Sequence, residues 1–411
     1  MENFHIDILE NILFRLPFTA TLQARQVCKA WKTHFANRCC NEGGFLISYY
    51  RSNKDVELYY GEQYDQIHGD VQHRTKLMNY YYGRFSLKYS WDNLVVGSCN
   101  GLVCLRKRDE RDGIQYVVCN PLTGEYVFVP QFDYTSLQNK DGVLVRRKSW
   151  LRHQSASDGL GYCHSTNQYK VVRIHLGNIL VYTIGSHKWR NIGTMPHNLP
   201  WSRGVFANGV LHWLTSGKQE EQRVFGFDLE GEKIRLLQMP SCARMVYGQL
   251  KLLGGNLCFV GRESRDHCAC IEIWAYKNMK EHNQSWSCYD NNSWNWIKES
   301  HIDPVNDGRF EPFAVTRRNQ VLLWHNYNTL YSYDPNASST LTRLWDCCMD
   351  YGAWYTCIEA IPHTNSFVSL KDLGESGAKS YKYETRGYPK QAKRKRSSMV
   401  EFELVDGEIT C

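Results

Sequence analysis

From about residue 45 onward the chain is written in short apolar runs that open alike, and this loose repeat limits its fold more than any other feature. "NGLVCL" (100–105), "NGVLHWL" (208–214), "GNLCFV" (255–260) and "NQVLLW" (319–324) each begin on Asn or Gly and continue with apolar residues of strand character. Further stretches, "YVVCNPLTGEYVFVP" (116–130), "ILVYTIGSHKWRNIGTMP" (179–196), "RVFGFDLEGEKIRLLQMP" (223–240) and "TLYSYDPNASSTLTRLW" (329–345), read as strand, polar turn, strand. A unit of roughly 45 to 50 residues with about four strands cannot bury both faces of its own small sheet, but units stacked around a ring can. The aromatic content of 13%, with 26 Tyr and 13 Trp, suits such half-buried pleated surfaces. The expectation is a mostly β chain with a β-propeller-like domain over residues 45–371, of about six blades. Because the repeats are imperfect and lack the strict kelch double glycine, an open pair of β-sandwiches is the alternative.

The first 40 residues follow another period. In "FHIDILENILFRLP", Ile8, Leu9, Ile12, Leu13 and Leu16 fall on one helical face, and Pro17 ends it. In "TATLQARQVCKAWKTHF", Val27, Ala30, Trp31, His34 and Phe35 form a second apolar face. Three short helices are expected. So small a unit cannot stabilise itself, so its apolar face must rest on another protein or cap the domain that follows. Burying about five large side chains, at roughly 1.5–3 kcal/mol each, is enough to support a protein interface after association entropy is subtracted.

Charge and cysteine content exclude several classes. The net charge of +7 owes much to one run, in which Arg386, Lys390, Lys393, Arg394, Lys395 and Arg396 lie without an intervening acid, so a nucleic-acid-binding body is not indicated. Residues 372–411 are expected to form a flexible basic tail, whose "KQAKRKRSS" reads either as a nuclear import signal or as a solvated segment. No stretch approaches the roughly 18 apolar residues of a membrane span. The opening "MENFHIDILENILFRL" lacks the basic n-region of a secretory leader, so the 16 cysteines are expected to be buried free thiols in the nucleus and/or cytoplasm.

Candidates for chemistry are weak. "CAC" (268–270) beside His267 has thiolate and imidazole donors, but not the spacing of paired zinc ligands. His212, His325 and His363 lie in or near strands without a G-x-S-x-G or H-E-x-x-H motif, and are read as structural histidines with backbone partners. "NYYYGRFSLKYSW" (79–91) interleaves aromatic and basic residues as a nucleic-acid platform does, yet it alternates like a strand of an early blade. No catalytic residue, cofactor or metal is expected.

Two stretches carry a family resemblance. "DILENILFRLP" followed by "VCKAW" resembles an F-box, with Asp7, Ile8, Leu9, Ile12, Leu13, Arg15, Leu16, Pro17, Leu22, Arg25, Val27, Cys28, Lys29 and Trp31 at matching positions. Phe4-His5 stands where that family usually has Leu-Pro, and Thr21 where Leu is common, which points to weaker docking than a full match gives. "GSCNGLVCL", "NPLTGEYVFVP", "GLGYCHSTNQYKVVRI", "VFANGVLHWL", "FGFDLEGEKIRLLQMP", "IEIWAYKN" and "SWNWIKE" resemble, in order, the F-box-associated domain of plant F-box proteins. The resemblance implies an F-box at 1–40 that docks a Skp-type adaptor, and through it a cullin and a RING subunit. Ile8, Leu9, Ile12, Leu13, Leu16, Pro17, Val27 and Trp31 would be the docking residues. It further implies that the β-domain presents a protein substrate for ubiquitination without catalysing the transfer. The alternatives are an adaptor-binding scaffold outside a ligase, or a propeller-type ligand-binding or enzyme module capped by the helices.

Overall fold

The computed structural model describes residues 39–51, 55–61, 74–81, 95–109, 113–132, 156–195, 199, 202–215, 222–240, 247–265, 268–278, 294–303, 308–316, 318–326, 329–337, 341–346 and 355–380. The expected N-terminal helices, most of the 79–91 aromatic stretch and the basic run lie outside these residues.

Strands follow one another in antiparallel sets. β1 (Cys39–Arg51), β2 (Asp55–Gly61) and β3 (Arg74–Tyr81) begin the first blade. The second holds β4 (Val95–Cys99), β5 (Leu102–Asp109), β6 (Gly113–Asn120) and β7 (Glu125–Phe128). The third holds β8 (Ser157–Cys163), β9 (Gln168–His175), β10 (Asn178–Thr183) and β11 (Trp189–Thr194). β12 (Val205–Ala207), β13 (Val210–Leu214), β14 (Val224–Asp228) and β15 (Ile234–Leu237) make the fourth. β16 (Tyr247–Leu253), β17 (Asn256–Arg265), β18 (Cys268–Asn278) and β19 (Trp294–Ile302) make the fifth, and β20 (Phe310–Val315), β21 (Val321–His325), β22 (Thr329–Tyr333) and β23 (Leu341–Asp346) the sixth. β24 (Tyr355–Ser366) then returns to pair with β1 as the inner strand of the first blade, and β25 (Lys379–Ser380) adds to the outer edge of the second beside β7. Among the described residues, five sheets have four strands and one has five. The inner strands β4, β8, β12, β16, β20 and β24 touch in succession, and β24 touches β4, so the ring is closed. This is the propeller that the repeat predicted, and the open sandwich pair is set aside.

The recurring Asn and Gly openers turn out to be the hairpins that lead from inner to second strands. Asn100-Gly101 joins Cys99 to Leu102, Asn208-Gly209 joins Ala207 to Val210, and Gly254-Gly255 joins Leu253 to Asn256. Both residues of each pair have positive φ, 44° and 86° in the first, the conformation that two-residue hairpins demand. Gly101 is also fixed by space, since a Cβ there would come 1.9 Å from Ser366 Oγ.

Cores lie between blades. Leu102, Val118, Leu160, Val171 and Tyr182 pack the second against the third, and Val172, Val181, Leu211, Trp213 and Phe225 the third against the fourth. Val260, Ile271, Ile302, Phe310 and Leu323 fill the space between fifth and sixth. At roughly 1.5–3 kcal/mol per fully buried apolar side chain, each blade is stabilised mainly by its neighbours. The free thiols of Cys99, Cys104, Cys119, Cys163, Cys258 and Cys270 are buried, and burial pushes Cys119 and Cys258 up to about 12.

Two expected boundaries move. The first strand starts at Cys39, inside the stretch expected to end the helical unit at 40, where Cys39 pairs with Ser366 of β24. The expected tail from Asp372 stays on the propeller through Ser380: Glu375 is buried and accepts hydrogen bonds from Tyr182 Oη and Gly185 N, both at 2.7 Å. Leu370 and Ala378 bury beside it in the core of the second and third blades.

Candidate functional site

Six inner-strand edges converge on the propeller axis among the described residues, and all six contribute to one small, open cleft of about 50 Å³ there. Ser98 of β4, Leu160 of β8, Phe206 of β12, Lys251 of β16, Phe313 of β20 and Ile361 of β24 are part of its lining. A parallel bridge between Asp158 and Arg203 sets the lead-in to β12 alongside the start of β8. That pairing places Arg203, between the third and fourth blades, where its guanidinium donates to Glu359 on the first. The fourth and first blades face each other across a ring of six, so this ion pair forms a bar over the axis.

Further charges gather near this end of the inner strands. Asp158 is buried and accepts from Arg106 Nη1 at 2.7 Å and Tyr116 Oη at 2.6 Å. Lys251 Nζ donates to Glu311 at 2.6 Å, and Arg309 lies 3.6 Å from the same carboxylate. Burial would raise the Glu311 pKa, but the Lys251 charge and hydrogen bond, with Arg309 and Arg262 behind them, bring it down to about 2. Arg106, Arg203, Lys251, Arg262 and Arg309, with the buried Arg173 opposite Asp158, thus accompany the carboxylates of Asp158, Glu311 and Glu359, and cations outnumber acids in this group. None of these was singled out from the sequence. Asp158, an acid at the head of the otherwise apolar "SDGLGYC", is the one that could have been flagged there.

One arrangement at the edge of the cleft, where only Ser98 lines it, has the order of a hydrolytic triad. Ser98 Oγ lies 2.7 Å from His363 Nδ1, and His363 Nε2 donates to Asn365 Oδ1 at 3.1 Å. Burial lowers the His363 pKa to about 4, against a weaker upward pull from Asn365, so the imidazole strongly resists the proton that a general base must take. The trio is better explained as a pin between β24 and β4. His212 Nδ1 lies 3.2 Å from the Val205 carbonyl, as expected for a structural histidine, and His325 stacks on Phe310 with centroids 4.4 Å apart. His363 differs from the sequence reading in meeting side chains rather than backbone. No group of three metal-ligand atoms lies on the axis among the described residues.

Every residue expected to dock an adaptor, namely Ile8, Leu9, Ile12, Leu13, Leu16, Pro17, Val27 and Trp31, lies outside the described residues. There the comparison with known families supplies the reading. Residues 1–42 match the F-box domain, and residues 64–339 match the F-box associated beta propeller domain. A protein of Arabidopsis thaliana named as an F-box/kelch-repeat protein is 23% identical over 81% of this chain and 84% of its own length. Two Arabidopsis proteins named as F-box proteins are similar as well, one 25% identical over 79% of each chain and one 24% identical over 83% of this chain and 94% of its own. With an F-box at its start and a closed propeller over most of its length, the chain belongs to the family of F-box proteins that carry an F-box associated beta propeller domain.

Proposed function

We propose that this chain is the substrate-recognition subunit of an SCF-type cullin ubiquitin ligase. The observation that carries the reading is the joining of two parts: an F-box matched over residues 1–42 runs directly into a propeller whose first strand begins at Cys39. Ile8, Leu9, Ile12, Leu13, Leu16, Val27 and Trp31 supply the apolar contacts to a Skp-type adaptor, and Pro17 sets the turn between helices. The propeller holds a protein substrate, with the charged axial cleft as the favoured contact surface. Catalysis is by proximity: substrate lysines are kept at high effective concentration near a conjugating enzyme carried by the cullin and RING subunits, and this chain contributes no reacting group. The basic run at 386–396, as a nuclear import signal or a solvated tail, fits a protein of the nucleus and/or cytoplasm.

Co-expression with a Skp adaptor, followed by size-exclusion chromatography, tests the reading. A one-to-one complex that recruits cullin is expected, and it should be lost in the Leu9, Leu13 and Trp31 triple alanine variant. Unchanged adaptor recovery in that variant would overturn the docking assignment. An adaptor complex that never recruits cullin would make the protein a scaffold instead.

A further inference from the structure

The outer edge of the fifth blade brings together three side chains that the repeat does not require. In the antiparallel pair β18–β19, Ile271 lies opposite Ile302 and Glu272 opposite His301, so Cys270 and Asp303 are the next facing positions. Ile271 and Ile302 point into the core between fifth and sixth blades. By strand alternation, Cys270, Glu272, His301 and Asp303 share the other face. There Cys270 Sγ donates to Asp303 Oδ1 at 2.7 Å, and His301 Nε2 lies 3.2 Å from Asp303 Oδ2. The ligand atoms of Cys270, His301 and Asp303 all lie within 4.8 Å of one another.

We infer that Cys270, His301 and Asp303 form a binding site for a divalent metal of the zinc class. The donor set decides the class, since thiolate and imidazole favour borderline-soft zinc over magnesium or calcium, which take oxygen ligands. Three protein donors leave a tetrahedral ion one position for water, and the site is open to it: Cys270 is buried at its base, while the side chains of His301 and Asp303 are 40% and 69% exposed. An ion held at ordinary zinc distances moves Sγ and the aspartate oxygen apart to roughly 3.5 Å, which an exposed side chain such as that of Asp303 accommodates by rotation. Glu272 provides the outer support typical of a metal-bound histidine. Its Oε1 lies 3.6 Å from His301 Nδ1, longer than a hydrogen bond, on the side of the ring away from the Asp303 carboxylate that Nε2 meets. Lys298 Nζ, 2.5 Å from the same oxygen, and Trp274 Nε1, 3.0 Å from the other, hold Glu272 in place. Binding requires the Cys270 thiol proton to pass to solvent, so apparent affinity rises with pH. The bound ion ties the end of β19, the outermost strand of its blade, to β18.

The test is anaerobic titration of the chelator-stripped full-length chain with cobalt(II), followed by competition with zinc. A single equivalent showing a thiolate-to-cobalt charge-transfer band is expected. The band should disappear in Cys270→Ser, and His301→Ala or Asp303→Asn should weaken apparent affinity by roughly tenfold or more. At a fixed zinc concentration, zinc should raise the melting temperature of the native chain more than that of His301→Ala. His301 and Asp303 are surface residues, so these two variants, checked for native-like melting in chelator, remain decisive even if Cys270→Ser fails to fold. Absence of the band from the folded chain would overturn the assignment. So would its survival in Cys270→Ser, which would place the metal on other cysteines of the 16, or an affinity unchanged by His301→Ala.

Discussion

Asp158 is the most exposed to risk of the buried charges, because its stability depends on two neighbours from another blade, Arg106 and Tyr116. Replacing Arg106 with Met removes the guanidinium hydrogen-bonded to the buried Asp158 while Arg173 stays opposite it on β9, and should cost about 2–4 kcal/mol, whereas Tyr116→Phe, which removes one hydrogen bond, should cost about 1–3 kcal/mol. Urea denaturation of the two variants checks both the size and the order. Histidines set the acid limit. Burial lowers His212 and His363 from 6.5 to about 4, so the unfolded chain takes up their protons first as pH falls. Their stabilising effect is complete above the unfolded value and is lost between pH 6.5 and about 4, by up to roughly 3 kcal/mol each. Melting temperature measured from pH 7 down to about 4 should fall steeply, and His363→Gln should flatten part of that slope. Glu311, held at about 2, adds a later loss as pH falls from 4.5 toward 2.

Among elements, the short hairpins were legible and the long-range clasps were not. Asn100-Gly101 and Asn208-Gly209 announce themselves because two adjacent residues at positive φ leave few sequence choices. The segment from 372 to 380 gives no such signal. Its buried polar anchor is Glu375, whose partners Tyr182 and Gly185 lie far away in the chain, and the polar text around it reads as tail. Glu375→Ala strands the Tyr182 hydroxyl and the Gly185 amide and should cost about 2–4 kcal/mol. A chain ending at residue 371 should melt lower than one ending at 380 by at least as much, and equal melting curves would show the segment to be dispensable. The Cys270, His301 and Asp303 cluster was hidden for a related reason. No second ligand pair follows "CAC" in the sequence; strand pairing supplies it from β19 and the residue after it, beyond the whole 279–293 stretch. The Arg203–Glu359 bar is equally silent, since only ring closure brings its two ends together.

Closure is the property of the whole molecule. The inner strand of the first blade is β24, so the ring depends on a pairing between Phe45–Tyr49 and Ile358–Pro362, with nearly the entire chain between them. Contacts of such separation make folding slow, and deleting residues 355–380 should abolish cooperative unfolding rather than merely lower its midpoint. Far-ultraviolet circular dichroism during thermal melting distinguishes the two outcomes. The same arrangement has a genetic consequence. The F-box is encoded upstream of β24, the strand that locks the ring, so a premature stop between them yields a fragment with an F-box but no closed receptor surface. Under the proposed role, such a fragment occupies the adaptor without delivering a substrate. Truncation alleles of this locus would then act as dominant competitors, whereas early stops within the F-box would behave as simple losses.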